Sequence, residues 1–408
     1  MTEQVRIDAD FAFDGTGTLV RNASVVFEGS RIVYFGESEH APNIETTQKV
    51  PAMMPGMWEC HTHYTGSPTP SIEAMLFVNP IVGAARCTWD LKETLAAGIT
   101  SVREVGGMGV FLNRAVQEGA IPGPRIYGAG DILSMTGGHG DVHSAPLKML
   151  EYAQEGLGIL VDGVPECLKG VRMQLRKGAE IIKVCASGGV MSEVDHPIHQ
   201  QFSHEELQAI VEEAERAERY VAAHCHGAPG IKAALEAGVK TIEHGTYLDE
   251  DLAEMMVEKD AILVPTRYVV EKLYQATSSS NVPEYALAKL RAIYDQHFEA
   301  MKIAINHGVK IAMGTDMFVT GPNGIFRHGE NALEIGFLVK AGMKLEDALV
   351  AATGNGPLTV GKLAGKSGML KEGYDADIIL LKENPLNSPE VVSKRENILA
   401  VIKQGKFY

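Results

Sequence analysis

At 408 residues the chain is long enough for two or three units of ordinary domain size, one of which has room to be a single large barrel. Hydrophobic residues make up 45% and charged residues 22%, which excludes a wholly disordered or fibrous chain and provides for a sizeable core. Against 52 acidic residues stand 37 Lys and Arg, a formal charge of −15 with no basic stripe to offset it, so neither a nucleic-acid backbone nor an anionic membrane is expected as a partner.

From the amino terminus, Met1 to Asp10 holds no basic stretch followed by an apolar core, and no run of about 18 apolar residues follows anywhere, so a soluble cytoplasmic protein is expected. Val5 to Phe35 reads as short β-like runs with turns such as Glu28-Gly29-Ser30. A first apolar strand, Met57 to His63, follows Pro55-Gly56. From there one pattern recurs: a helix ends at a glycine and a short apolar strand starts at once. It occurs at Gly98 before Ile99 to Glu104, Gly178 before Ile181 to Val184, Gly238 before Thr241 to His244, and Gly308 before Ile311 to Asp316. A glycine accepts the left-handed conformation that closes a helix, and a continuous apolar run suits a strand buried on both faces. Further strands at Arg125 to Gly128, Val221 to His224 and Ile262 to Pro265 bring the count to eight, which predicts an α/β fold with a closed (β/α)8 TIM barrel. The alternative is an open doubly wound sheet, but no Gly-x-Gly-x-x-Gly follows the first strand.

Ser203, three residues before Glu206, forms a capping box that opens a helix over His204 to Arg219. Asp131 to Lys169 and Tyr268 to Ala286 read as long loops on the side of the barrel where substrate-binding surfaces are expected. The last stretch, Ala376 to Tyr408, returns to short β-like runs, with a turn at Lys403-Gln404-Gly405-Lys406. The two ends are expected to join in one small β domain, dividing the chain into 1–55, a barrel over 56–355, and 356–408. Five cysteines, Cys60, Cys87, Cys167, Cys185 and Cys225, form no CxxC pair, and three lie inside apolar runs, which suggests reduced thiols.

Chemistry concentrates at the carboxyl ends of the strands, the face on which barrel enzymes place their sites. His61 and His63, two apart on a strand, can turn both imidazoles to one metal. His224, His244 and Asp316 close three other strands; each alone reads as a hydrogen-bonded loop residue or a cap, and their coincidence reads as a metal site. Lys183 sits within the buried run Ile181 to Cys185. Either it pairs with a carboxylate such as Glu104, or burial keeps much of it neutral and able to react with carbon dioxide to give a carbamate that bridges two cations. His139, in the flexible segment Thr136-Gly137-Gly138-His139-Gly140-Asp141, is a candidate donor to a developing oxyanion, or part of a plain turn. His226, Arg267 and Tyr268 are candidates to hold a substrate carboxylate, with surface solvation an equal reading of Arg267. His328 and Glu330 border the same region without an assigned role.

The set His61-x-His63, Lys183, His224, His244 and Asp316 resembles the amidohydrolase superfamily. Thr136 to Asp141, Lys183 to Ser192 and Ala223-His224-Cys225-His226-Gly227 resemble its dinuclear zinc prolidase and carboxypeptidase branch. The likeness runs over nearly the whole chain, including Glu372 to Leu380, which resembles the family's return into its small β domain. It implies a barrel with a β sandwich built from both termini, two zinc ions per chain with carbamylated Lys183, often a homo-oligomer, and hydrolysis of an amide bond. In such a site Asp316 acts as ligand and proton shuttle, His139 polarises the carbonyl, and the substrate is an N-acyl amino acid or dipeptide. Relatives specific for proline dipeptides carry a tyrosine in place of His226. Two other functions are kept: hydrolysis of another amide, a carbamate, a lactone or a phosphoester by the same metals, and a non-catalytic barrel used for binding.

Overall fold

The structure, a computed structural model, describes residues 4–45, 48–152, 158–276, 281–322 and 324–408. Before the barrel come β1 (Gln4–Phe13), β2 (Leu19–Glu28), β3 (Arg31–Glu37) and β4 (Gln48–Pro55). The central strands follow as β5 (Met57–Thr62), β6 (Ile99–Glu104), β7 (Arg125–Gly128), β8 (Ile132–Ser134), β9 (Gly158–Leu160), β10 (Ile181–Cys185), β11 (Tyr220–Cys225), β12 (Thr241–His244), β13 (Ile262–Val264) and β14 (Lys310–Ile311); β7 and β8 are two pieces of one barrel strand and β9 is a short strand added at the edge of β8, which leaves eight in the ring. The chain ends in β15 (Ile378–Leu381), β16 (Ile398–Lys403) and β17 (Lys406–Phe407).

Both termini meet in one sheet of order β17-β16-β15-β4-β1-β2-β3, with β15 antiparallel to β4 and β4 parallel to β1. Ile7, Val25, Phe27, Met53, Ile378 and Leu380 form its apolar core. Each such side chain contributes about 1.5–3 kcal/mol when fully buried, which is what holds the carboxy-terminal strands against the amino-terminal ones.

The barrel strands pair in parallel, β5-β6-β7 and β14-β13-β12-β11-β10-β8-β9. The third barrel strand is broken: β7 pairs with β6, and β8, after a turn at Gly130 with φ 74°, pairs with β10. The Glu180 amide donates to the Gly128 carbonyl at 2.9 Å and joins the two groups of strands. On the other side, the Cys60 amide donates to the Met313 carbonyl at 2.8 Å and Thr62 bridges to Met317, so strand eight runs on past β14 and closes the ring. Close approach here requires Gly314, since a Cβ would fall 2.4 Å from Val264 and 2.8 Å from the His61 side chain.

All four helix-closing glycines have the expected left-handed backbone: Gly98, Gly178, Gly238 and Gly308 have φ of 87°, 93°, 92° and 72°. The capping box of Ser203 and Glu206 is formed, opening a helix over His204–Arg216. The two long loops are more ordered than expected. Between Asp131 and Lys169 lie β8, the helix Leu147–Tyr152, β9 and the start of the helix Gly163–Lys177, while 153–157 fall outside the described residues. Between Tyr268 and Ala286 the helix Arg267–Tyr274 continues and the helix Glu284–Asn306 begins, with 277–280 outside the described residues. Polar residues spaced between buried Val269, Val270 and Leu273 make an amphipathic helix, which a loop reading based on polarity misses. All five cysteines are free and buried, and no described helix is long and apolar enough to cross a membrane.

Candidate active site

Alternation along a strand decides which side chains enter the barrel. On β10, Ile182 and Val184 pack outward against the helices, whereas Ile181 joins the interior layer with Trp58, Tyr127, Ala222 and Ile262. Lys183 shares the parity of Ile181 and lines the cavity at the top of the barrel. On β11, His224 is register partner of Cys185 and enters on the same side. On β12 the interior parity belongs to Glu243, with Ile242 facing the helices. Left-handed backbone at His244, φ 71°, turns its imidazole back in, and Asp316 has φ 59°. Two non-glycine residues in this region, each costing about 1–3 kcal/mol, stand where the site needs them.

The donors converge as the spacing predicts. One ligand atom from each of His61, His244 and Asp316 lies within 4.8 Å of the others, and the same holds for His224, His226 and His244. Asp316 Oδ1 is 3.1 Å from His63 Nε2 and 3.5 Å from His61 Nε2. The rings are held by their other nitrogens. His61 Nδ1 donates to Glu243 at 2.7 Å, His63 Nδ1 donates to the Gly106 carbonyl at 2.7 Å, and His244 Nδ1 bonds Thr266 Oγ1 at 2.7 Å. His224 Nε2 donates to the Gly188 carbonyl at 3.2 Å, which leaves Nδ1 as its free ring nitrogen. Outer partners of this kind orient imidazoles toward a metal. Burial in a cluster of rings pushes His61 down to about 4 and holds His224 and His244 well below the ordinary histidine range, so the free nitrogens are unprotonated, as a metal requires.

Lys183 is only 2% exposed, and among the described residues it makes no ion pair. Glu104 Oε1 instead accepts from the amides of Tyr64 and Gly109, at 3.2 and 2.8 Å. Burial lowers the Lys183 pKa, which favours the neutral amine.

His139 lines both lobes of the cavity and stacks on His224 with ring centroids 4.2 Å apart. His226 lies in the cavity wall, its Nδ1 2.7 Å from Thr246 Oγ1, and is close enough to His224 and His244 to belong to the donor cluster. Arg267 and Tyr268 are placed elsewhere. Both side chains are buried behind the wall: the guanidinium bonds Glu271 at 2.8 Å and the Tyr294 carbonyl at 2.8 Å, and the phenol donates to Glu330 at 2.7 Å. They open a helix whose Val269, Val270 and Leu273 form the wall, so they brace the pocket without facing it. Glu330 thus bonds Tyr268, and His328 stacks on Tyr64 at 5.1 Å.

Two buried carboxylates behind the ligands escape a sequence reading. Glu243 accepts from His61, from Thr241 at 2.5 Å, and from Arg103 at 2.7 and 2.8 Å. Burial opposes its charge, but Arg103 and the His61 hydrogen bond outweigh that and hold it ionised. Glu59 accepts from the amides of His61 and Thr315 at 2.9 and 3.0 Å and from Asn331 at 2.8 Å, tying strand one to strand eight beside Asp316; burial raises it to about 7. The available signal is a charged residue inside a wholly buried strand. Removing one partner of a buried pair leaves the other charge uncompensated, so Arg103→Met is expected to destabilise the fold by about 3–5 kcal/mol. Urea unfolding of the variant measures it, and a loss below about 1 kcal/mol would contradict this account of Arg103.

The cavity has two lobes that share His63, Ile132, His139, Cys185, Met191, Asp316 and Phe318. One extends past Thr65, Ile72, Met75 and Val142, the other past Val269, Val270, Leu273, Leu290 and Ile293. Both walls are mostly apolar; His63, His139 and Asp316 lie where the lobes meet, and His61, Lys183, His224, His226 and His244 line the second lobe.

A barrel of eight parallel strands with a histidine, lysine and aspartate cluster at the carboxyl ends, joined to a sheet from both termini, defines the class. The chain belongs to the amidohydrolase family of hydrolases, whose pattern it matches over residues 52–408. It is 39% identical over 421 residues to ochratoxinase of Aspergillus niger, an alignment covering 98% of this chain and 86% of that protein. The crystal structure of A. niger ochratoxinase superposes with a TM-score of 0.92, covering 100% of this chain and 95% of that one. A prolidase complexed with N-methylphosphonate-L-proline, 31% identical, gives 0.91 with 100% and 99% covered, and a Xaa-Pro dipeptidase with bound methionine, 30% identical, gives 0.88 with both chains fully covered.

Proposed function

We propose that the protein is a metal-dependent amidohydrolase that cleaves the amide bond of N-acyl amino acids or dipeptides. The observation that carries this reading is the convergence of His61, His63, His224, His244 and Asp316 with a buried lysine, Lys183, that has no ion pair among the described residues, in one lobe of a largely apolar cavity. The donor set suits two divalent ions such as zinc: imidazoles and a carboxylate are its ordinary ligands, and the set exceeds what one tetrahedral ion takes. His61, His63 and Asp316 would hold one ion, and His224 and His244 the other. Attack of the neutral Lys183 amine on carbon dioxide, with loss of one proton, would give a carbamate whose oxygens add to the donor set. Bound there, the ions would supply an acidified water and polarise the scissile carbonyl.

The chain's own residues do the rest. Asp316, lining both lobes, takes the proton of the attacking water and passes it to the leaving nitrogen, which departs as an amine. His139, which lines both lobes as well, holds the carbonyl side of the substrate. The two lobes receive the groups on either side of the bond, and their Val, Leu, Ile, Met and Phe lining excludes water and favours apolar substituents. His226 remains the group to meet a substrate carboxylate, because among the described lining residues no guanidinium is found and Lys183 is the only ammonium. The free, buried cysteines suit a reducing cytoplasm.

The test is turnover of the zinc-loaded protein on a panel of N-acyl amino acids and dipeptides, each as free acid and as carboxamide. Hydrolysis of the acids is expected, with amidation lowering kcat/KM by about 10- to 100-fold, the worth of one charge-assisted contact of about 1.5–3 kcal/mol. Equal rates on acid and amide would remove carboxylate recognition, and no hydrolysis of any member would overturn the amidase reading.

A further inference from the structure

His139 stands on a short loop of small residues, an unpromising support for a side chain that must keep a fixed direction. Its direction is set from a different loop. Nδ1 of His139 lies 2.8 Å from Ser192 Oγ, and Ser192 in turn donates to the Asp195 carboxylate. Asp195 has only 4% of its side chain exposed and accepts three more bonds, from the Gly189 amide at 2.9 Å, Gln201 Nε2 at 3.1 Å and Lys289 at 3.2 Å. The Lys289 ammonium, on the helix Glu284–Asn306, also bonds the backbone carbonyls of Gly189, Ser192 and Asp195. Gln201 closes the arrangement by accepting the His139 amide at 3.0 Å.

Proton counting gives the chain a direction. An ionised carboxylate only accepts and an ammonium only donates, so the single Ser192 hydroxyl proton goes to Asp195. Ser192 Oγ must then accept from His139, which makes Nδ1 the protonated nitrogen and leaves Nε2 as the only ring nitrogen able to meet substrate. The ring also has a fitted seat. A Cβ on Gly189 would lie 2.1–2.5 Å from three atoms of the imidazole, so only glycine there admits it.

We propose that Ser192 and Asp195 are positioning residues for the reaction, a relay anchored by Lys289 that fixes the tautomer and rotamer of His139. This rests on the role of His139 in the amidase reading, although the geometry of the relay does not. A third group orienting the imidazole that does the chemistry recurs wherever such a residue must hold one direction. Misplacement of a reacting group by about 1 Å can cost about 100-fold in rate.

The test uses the zinc-loaded protein labelled with 15N-histidine. The His139 signal, identified by its loss in His139→Ala, is expected to show a protonated Nδ1, and Ser192→Ala is expected to shift it toward a mixture of tautomers. A deprotonated Nδ1 in the parent protein, or a spectrum unchanged in Ser192→Ala, overturns the relay. In kinetics, Ser192→Ala and Asp195→Asn should each lower kcat by about 10- to 100-fold with little change in KM and full metal content. In a His139→Ala background the same changes should cost less than about twofold further. Full additivity overturns the proposal; should Asp195→Asn fail to fold because its loop loses its anchor, Ser192→Ala alone decides, since it leaves the Asp195–Lys289 contacts in place. If no amide is turned over while the tautomer responds as expected, the relay stands and the amidase reading falls.

Discussion

Replacing Asp316 by asparagine is expected to lower kcat by a factor on the order of 100 to 10,000, the usual worth of a positioned acid-base group. Asparagine keeps the shape, one acceptor oxygen and a tolerance for left-handed backbone, so the φ of 59° is not in itself a reason for the variant to misfold. It removes the capacity to take and give a proton. Asp316 has that capacity where it is needed: its carboxylate is beside His63 and His61 and lines both lobes of the cavity. Burial disfavours its charge, but the neighbouring imidazoles of His61 and His63 more than offset this and keep it ionised, ready to accept. The expected pattern is a low kcat, much of the metal retained and an unchanged fold, read by turnover, metal analysis and circular dichroism. A variant that loses only substrate affinity, with kcat intact, would remove the proton-shuttle role.

Lys183→Ala is expected to lose metal and activity together, from about two ions per chain to one or none. The reasoning turns on what the lysine costs. An ammonium buried without an ion pair among the described residues is expensive, which lowers its pKa and favours the neutral amine. Deleting it therefore removes a desolvation penalty, and the metal-free variant should unfold at no lower urea concentration than the metal-free parent. A structural lysine would give the opposite pair of results: near-normal metal content and turnover, with lower stability. The two readings separate on metal analysis and urea unfolding without any assumption about the substrate.

The eight-strand barrel was legible in the sequence because its grammar is local. Four helix-closing glycines, each followed by an apolar run, are marked by backbone preference and burial alone, and all four adopt the left-handed turn they signal. The clustering of His61, His63, His224, His244 and Asp316 was legible for the same reason: a histidine or aspartate at the end of an apolar strand lies at the open face whatever the rest of the chain does. The helical segments read as loops show the limit of polarity as a guide, since Arg267–Tyr274 is amphipathic and its apolar stripe is part of the pocket wall.

What only the tertiary structure decided is where side chains beyond the strand ends point and what they touch. Arg267 and Tyr268 follow a strand end, as His226 does, yet they turn behind the wall because Glu271, Tyr294 and Glu330 offer them partners from elements distant in sequence or along the helix. Glu243 and Arg103 meet across 140 positions, and Ser192 and Asp195 reach His139 across more than 50. Residue type and strand parity place a group on a face. The partner that fixes its proton or satisfies its charge is a matter of packing between separate segments, and a hydrogen bond of under 3 Å between them is specified only once the barrel has closed.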